Sequence, residues 1–252
     1  MNRAPQKRAF SWLTDRDIAH RGLCSPGTLR EENTVAAVAA AVDAGYAVEI
    51  DVRLTRDDRV VVFHDAALDR MTSGTGYVSE QLYSCLRTFP VGESGKPMPL
   101  LEDVLDIIAG RVPLFIEMKL PNSQKPSALP RAIRRAIEGY RGHLAVMSFN
   151  PEAVFWFTSH VPHLPRGLVV DTAKRLFHVG IRRSWMAKRA AADFIAHDFT
   201  SQPNRFSNKW RASGRPLISW TIKTREDELK GRNHADALIF EAPAVVGEDN
   251  SG

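Results

Sequence analysis

Residues 47–64 read AVEIDVRLTRDDRVVVFH, and this stretch decides the fold. Ala47–Leu54 is an apolar, β-branched run interrupted only by Glu49, Asp51 and Arg53, the pattern of a strand with two distinct faces. Side chains two apart project to the same face, so Glu49 and Asp51 point together. Unpaired carboxylates are costly in apolar surroundings, and coordinating a cation is one way to offset that cost. Thr55–Arg59 then supplies five polar residues before the next apolar run, Val60–His64. A parallel crossover needs about a dozen residues or more, so this connection is a hairpin with its tight turn near Asp57–Asp58. Pairing about that turn sets Asp51 opposite His64.

The rest of the chain falls into place around this hairpin. Further strands are expected at Asp17–His20, Val112–Met118, Leu144–Phe149, Gly167–Asp171, Asp193–His197, Pro216–Thr221 and Ala235–Phe240. Amphipathic helices such as Thr34–Ala44, Leu101–Ala109, Ala128–Tyr140 and Glu226–Arg232 lie between them. Alternating strands and helices imply βαβ units and a parallel sheet. Eight such strands in 252 residues fit a TIM (β/α)8 barrel, read as a single domain over residues 1–252. Residues 65–99, rich in Gly, Ser and Thr, form a small insertion after the second strand. The segment AFSWL (9–13) is available to cover the barrel floor. No GxGxxG or GxxxxGK[ST] fingerprint supports a nucleotide site.

Composition narrows the function further. With 44% hydrophobic and 25% charged residues the chain is globular, not disordered. No apolar run reaches the roughly 18 residues of a membrane span, and the basic N-terminal residues lack the apolar core of a signal peptide. Two cysteines, Cys24 and Cys85, make no disulfide framework, so a cytoplasmic location is expected. The net charge of +5 is uneven. Between Thr172 and Arg215 ten Lys and Arg face two Asp, giving +8 there and −3 elsewhere. No zinc-finger spacing or other nucleic-acid motif accompanies this excess, so no nucleic-acid partner is expected. The stretch reads as solvated helix faces with a weak steering role for anions.

Chemistry concentrates at the ends of strands. Glu117 and Lys119 share one face of the FIEMK run (115–119), His20 and Arg21 close the first strand, and His64–Asp65 closes the hairpin. In a barrel, these positions meet at the C-terminal mouth, where active sites are built. Three carboxylates without cysteine favour a hard divalent cation, Mg2+ or Ca2+, over zinc. Two histidines suit acid–base work, while Arg21 and Lys119 suit a phosphate. Glu32 and Asn33 read as helix-start groups, with Asn33 the N-cap and Glu32 able to orient Arg21. Trp220 is either cavity wall or core. The pair His197–Asp198 ends its strand as His64–Asp65 does and is a candidate for the rim.

The runs IAHRG (18–22), EENT (31–34), VEIDVRLT (48–55), VVVFHD (60–65) and IEMK (116–119) strongly resemble, in order and spacing, the glycerophosphodiester phosphodiesterases. The likeness is looser in MSFN (147–150), SWTI (219–222) and IFEAP (239–243). The resemblance implies a TIM barrel with a small insertion and a small-molecule glycerophosphodiester substrate, cleaved to glycerol 3-phosphate and an alcohol. It implies Glu49, Asp51 and Glu117 as metal ligands, His20 and His64 as the acid–base pair, and Arg21 and Lys119 on the phosphate. Two readings compete: a lysophospholipase D-like enzyme with an acyl groove, and a non-catalytic barrel that binds a phosphodiester or polyanion. The sequence departs from the family pattern at Phe240–Pro243, where T-D-x-P is usual, and at Lys223, where Asn is frequent. A second carboxylate also precedes the first helix. These departures are expected to touch the cavity wall and none of the core site positions.

Overall fold

The computed structural model describes residues 10–120, 125–171 and 179–241, the side chains of 179–181 excepted. In chain order its regular elements are β1 (Ile18–Ala19), α1 (Val35–Asp43), β2 (Ala47–Leu54), β3 (Val60–Val62), α2 (Tyr83–Leu86), α3 (Leu101–Ile108), β4 (Leu114–Met118), α4 (Ala128–Ala136) and β5 (Leu144–Ser148). They continue with α5 (Pro151–His160), β6 (Arg166–Val170), α6 (Val179–Arg189), β7 (Phe194–Asp198), α7 (Arg205–Ala212), β8 (Leu217–Ile222), α8 (Arg225–His234) and β9 (Ala237–Phe240). Strands β1, β2 and β4 to β9 pair in parallel, and β1 bonds both β2 and β9. That double pairing closes an eight-stranded barrel wrapped by helices, the TIM fold.

The period-2 pattern sorts each strand's side chains. On β2, Val48, Ile50 and Val52 pack outward against the helices, while Ala47 joins Phe115, Ala145, Met147, Phe194 and Ile218 in the barrel interior. Interior layers of this kind fill the lower barrel with apolar atoms. Leu13 caps that interior from below, and Trp12 stacks on His143 with ring centroids 4.8 Å apart. Phe10, Trp12 and Leu13 of the AFSWL segment thus pack at the floor, while Ala9 lies outside the described residues.

The expected hairpin is present, one position out of register. Val52 pairs with Val62 and Leu54 with Val60, so Asp51 faces Phe63 and its carbonyl accepts the Phe63 amide at 2.9 Å. His64 is not opposite Asp51. A five-residue connection has its centre on a residue, here Asp57, instead of between Asp57 and Asp58. Thr55 locks the loop by bonding Asp57 and receiving the Arg59 amide. Beyond the hairpin, residues 65–99 build a satellite core around Leu68, Val78, Leu86, Val91 and Met98.

Smaller corrections concern element ends. The last strand starts at Ala237, since the Asp236 carboxylate is taken by the Leu217 amide and Arg211. The helix expected to run to Tyr140 ends at Ala136 in a turn through Gly139. Of the basic stretch, Lys174 and Arg175 lie outside the described residues, as do Ala242 and Pro243 of the closing motif.

Candidate active site

The first strand delivers His20 and Arg21 through a tight turn. Arg21 has φ 57° and Gly22 φ 80°, the left-handed region that non-glycine residues seldom enter. A Cβ on Gly22 would lie 2.6 Å from the Ala37 backbone, so only glycine lets this turn press against α1. The turn aims the Arg21 amide at Glu49 Oε2, 3.1 Å away. It also sets Arg21 Nε 3.0 Å from Asp51 Oδ2 and Nη1 2.9 Å from Glu32 Oε1. Glu32 thus lies in contact with Arg21.

Glu49, Asp51 and Glu117 bring one oxygen each within 4.8 Å of one another, all three residues being buried. β2 and β4 run in parallel with Asp51 beside Glu117, which is why the two strand ends meet. Lys119 Nζ sits between them, 2.6 Å from Glu117 Oε1 and 3.1 Å from Asp51 Oδ1. Burial, reinforced by the nearby Asp51 and Glu117 charges, pushes the Glu49 carboxyl well above its usual range. Burial likewise lifts Glu117 to about 7 against the pull of Lys119. Asp51 goes the other way, since Lys119 and Arg21 overcome its burial and hold it well below normal.

These groups fit a hard cation. Glu49 Oε1 is buried with no hydrogen-bond partner among the described residues. Three carboxylates against two neighbouring cations also leave the cage with uncompensated negative charge. An all-oxygen donor set of this kind suits Mg2+ or Ca2+.

Two imidazoles flank the cage, and each is held at Nδ1 by a carboxylate. His20 Nδ1 lies 2.9 Å from Glu241 Oε1, and His64 Nδ1 2.6 Å from Asp65 Oδ1. A carboxylate at Nδ1 fixes that nitrogen as the N–H donor and leaves Nε2 for proton exchange. His20 Nε2 is 3.8 Å from Glu49 Oε2. Burial depresses the His64 pKa. The hydrogen bond from His20, aided by Lys223 at 3.0 Å, pulls Glu241 to about 2.

The cavity over these groups measures about 310 Å³. His20, Arg21, Glu49, His64, Glu117, Lys119, Trp220 and Glu241 line it, with Met147, Val169 and Ile239 below. Trp220 is thus wall, its ring 5.8 Å from Phe149 and perpendicular to it. His197 is the exception among the strand-end pairs. It faces outward, is buried beside Phe206 of α7, bonds the Asp198 carbonyl, and is pulled by burial to about 4. It takes no part in the site.

Several contributors escaped the sequence reading. Asn33 is not the N-cap of α1; Thr34 is, its hydroxyl accepting the Ala37 amide. Asn33 instead sits at φ 60° and clamps Asp51, with Nδ2 3.0 Å from Oδ2 and Oδ1 accepting the Asp51 amide. Glu241, expected to bear only on the wall, grips a core position, His20. Arg70 of the insertion bonds Glu32 at 2.6 and 3.0 Å and Asp65 at 2.5 and 3.1 Å. One guanidinium thereby ties the carboxylate behind His64 to the one behind Arg21. Its Asp65 partner is five residues away, but its Glu32 partner is 38 residues away, so local sequence does not reveal the bridge.

A TIM barrel with two imidazoles presented at the mouth, above a cage of inward carboxylates, belongs to a hydrolytic class of enzyme. Residues 20–245 match the Glycerophosphoryl diester phosphodiesterase family, and the chain belongs to that family. It is similar to the glycerophosphodiester phosphodiesterase of Caldanaerobacter subterraneus, 28% identical over 240 residues, covering 91% of this chain and 95% of the relative. Glycerophosphodiester phosphodiesterase 1 of Bos taurus is 25% identical over 274 residues, covering 91% and 80%. The fold matches an Oleispira antarctica phosphodiesterase solved with the product sn-glycerol-3-phosphate, at TM-score 0.80 and 23% identity, over 92% of this chain and 94% of that one. Among the described residues, no helix is long and apolar enough to cross a membrane.

Proposed function

We propose that this enzyme hydrolyses glycerophosphodiesters to glycerol 3-phosphate and an alcohol, with His20 and His64 as the acid–base pair. The observation that carries this reading is the pair of imidazoles, each held at Nδ1 by a carboxylate, either side of the Glu49–Asp51–Glu117 cage. Glu49, Asp51 and Glu117 would hold a divalent cation, Mg2+ or Ca2+, which when bound supplies positive charge against developing phosphoryl oxyanions. Arg21 and Lys119 orient the phosphate, Arg21 by its fork of donors and Lys119 as a point charge.

One imidazole Nε2 accepts the proton of the glycerol 2-hydroxyl as that oxygen bonds to phosphorus. The other imidazole donates its proton to the departing alkoxide oxygen as the second P–O bond breaks. The products of this step are a cyclic phosphate and the free alcohol, and the two histidines have exchanged protonation roles. In the second step water loses a proton to the newly neutral imidazole and opens the ring. The other returns a proton to the 2-oxygen, restoring both histidines. Trp220 and Phe149 wall the cavity and limit competing access by water.

We take the whole chain as one domain carrying this site, and its free cysteines Cys24 and Cys85 support a cytoplasmic setting. The test is product analysis with the Mg2+-loaded protein and glycerophosphocholine. The expected result is one glycerol 3-phosphate released per choline, with His20→Ala and His64→Ala each lowering kcat by about 10²- to 10⁴-fold. Release of phosphocholine and glycerol, or variants as active as wild type, would overturn the assignment.

A further inference from the structure

Beside the catalytic cavity lies a second one of about 410 Å³, and the two share Lys119 and Phe149. Its wall carries three cations, Arg53, Lys119 and Arg182, and among the described residues no carboxylate lines it. Lys119 is already matched by Glu117 and Asp51. The lining polar groups of β5 and its following turn are also spent, since Ser148 Oγ donates to the Met118 carbonyl and Asn150 caps α5.

Arg53 and Arg182 are different. Arg53 is largely withdrawn from solvent, and its Nε and Nη2 donate to a neutral acceptor, the His64 carbonyl, at 2.8 and 2.6 Å. Among the described residues no carboxylate lies within 4.0 Å of its guanidinium. Arg182 projects from α6 into the same space with its side chain exposed. The carboxylates of Asp51, Asp65 and Glu117 act on Arg53 without touching it, so this half-buried guanidinium has no ion in contact, and a bound anion would offset the cost of its burial. Met186 and Phe149 add apolar surface to the remaining lining.

We infer that this second cavity is an anion subsite for the leaving alcohol, so that the preferred diester carries a second phosphate on that alcohol. The inference rests on the phosphodiesterase reading above and adds the headgroup class. A phosphate at the carboxylate cage has two ester arms. The glycerol arm turns into the cavity over the barrel interior, and the leaving arm passes Lys119 and Phe149 toward Arg53 and Arg182. A neutral or cationic headgroup gains nothing from that second pair.

The test compares two substrates differing by one group: glycerophosphoglycerol, and the same diester phosphorylated on its leaving glycerol. Wild-type enzyme should favour the phosphorylated substrate in kcat/KM by about tenfold or more, the worth of one charge-assisted contact. Raising salt should shrink the preference. Arg182→Glu should abolish it while leaving kcat/KM on glycerophosphoglycerol within about twofold of wild type. Equal rates on the two substrates, or a preference untouched by Arg182→Glu, would overturn the subsite and leave the phosphodiesterase reading intact. Turnover of neither would overturn that reading instead. In that event calorimetry with glycerol 1,3-bisphosphate and glycerol 3-phosphate still decides the subsite. Tighter binding of the bisphosphate, lost in Arg182→Glu, supports it, and equal binding refutes it.

Discussion

At the scale of single residues, the site is a set of opposed charges whose environments push them apart. Asp51 keeps its charge because Arg21, Lys119 and the Asn33 amide all address it. Glu117, as deeply placed, is lifted to about 7 by burial. That lift has a consequence for stability. The folded protein holds the Glu117 proton more tightly than the unfolded chain, whose value is 4.5. The contribution is therefore full below about pH 4.5 and is lost as pH rises toward 7. Metal-free wild type should thus lose stability relative to Glu117→Gln between about pH 4.5 and 7 in parallel denaturant titrations. A divalent cation, which prefers the ionised carboxylate, should remove that loss. A difference between the two proteins that does not change with pH would contradict the burial argument.

At the scale of elements, the insertion does more than decorate the hairpin. Arg70 binds Asp65 behind His64 and Glu32 behind Arg21, so residues 65–99 reach both of these side chains. Its side chain is 47% exposed, so these ion pairs contribute little to global stability. Arg70→Ala should lower kcat by about 10- to 100-fold with nearly unchanged melting. Arg70→Lys should recover little, since one ammonium cannot bridge two carboxylates bidentately. A kcat equal to wild type in Arg70→Ala would show that the network is ornamental.

Elements also show what the sequence could and could not reveal. Glu49, Asp51 and Glu117 were legible because period-2 alternation within one strand assigns a face without knowledge of the partner strand. The hairpin was legible from its length, yet its register slipped by one because the centre of an odd loop lies on Asp57. His64 and His197 look alike in sequence, each followed by Asp at a strand end. Parity along β7 turns His197 outward to α7, with Phe194 and Ala196 inward. Asn33, Glu241 and Arg70 act through partners 18, 221 and 38 residues away, tertiary contacts of which the Glu241–His20 one depends on barrel closure.

At the scale of the whole molecule, closure brings β1 and β9 together and so completes the site, carrying Glu241 to His20. The charge imbalance takes on a different meaning at this scale. Of the cations between Thr172 and Arg215, Arg189 is spent on Glu152, Arg211 on Asp236, and Arg215 lies over Trp210 at 3.4 Å. Three of the ten are thus engaged locally, while Arg182 is the one among the described residues of this stretch that lines the second cavity. An oxygen-ligated divalent cation in the Glu49–Asp51–Glu117 cage should be required for phosphodiester cleavage. The most direct measurement is a 31P NMR time course on glycerophosphocholine with protein first stripped by chelator, then given Mg2+ or Ca2+ stepwise. The stripped protein should give no glycerol 3-phosphate signal, and turnover should rise with added cation until one site is filled, with Asp51→Asn inert throughout. Turnover by the stripped protein at the loaded rate, or an Asp51→Asn variant that responds like wild type, would contradict that requirement.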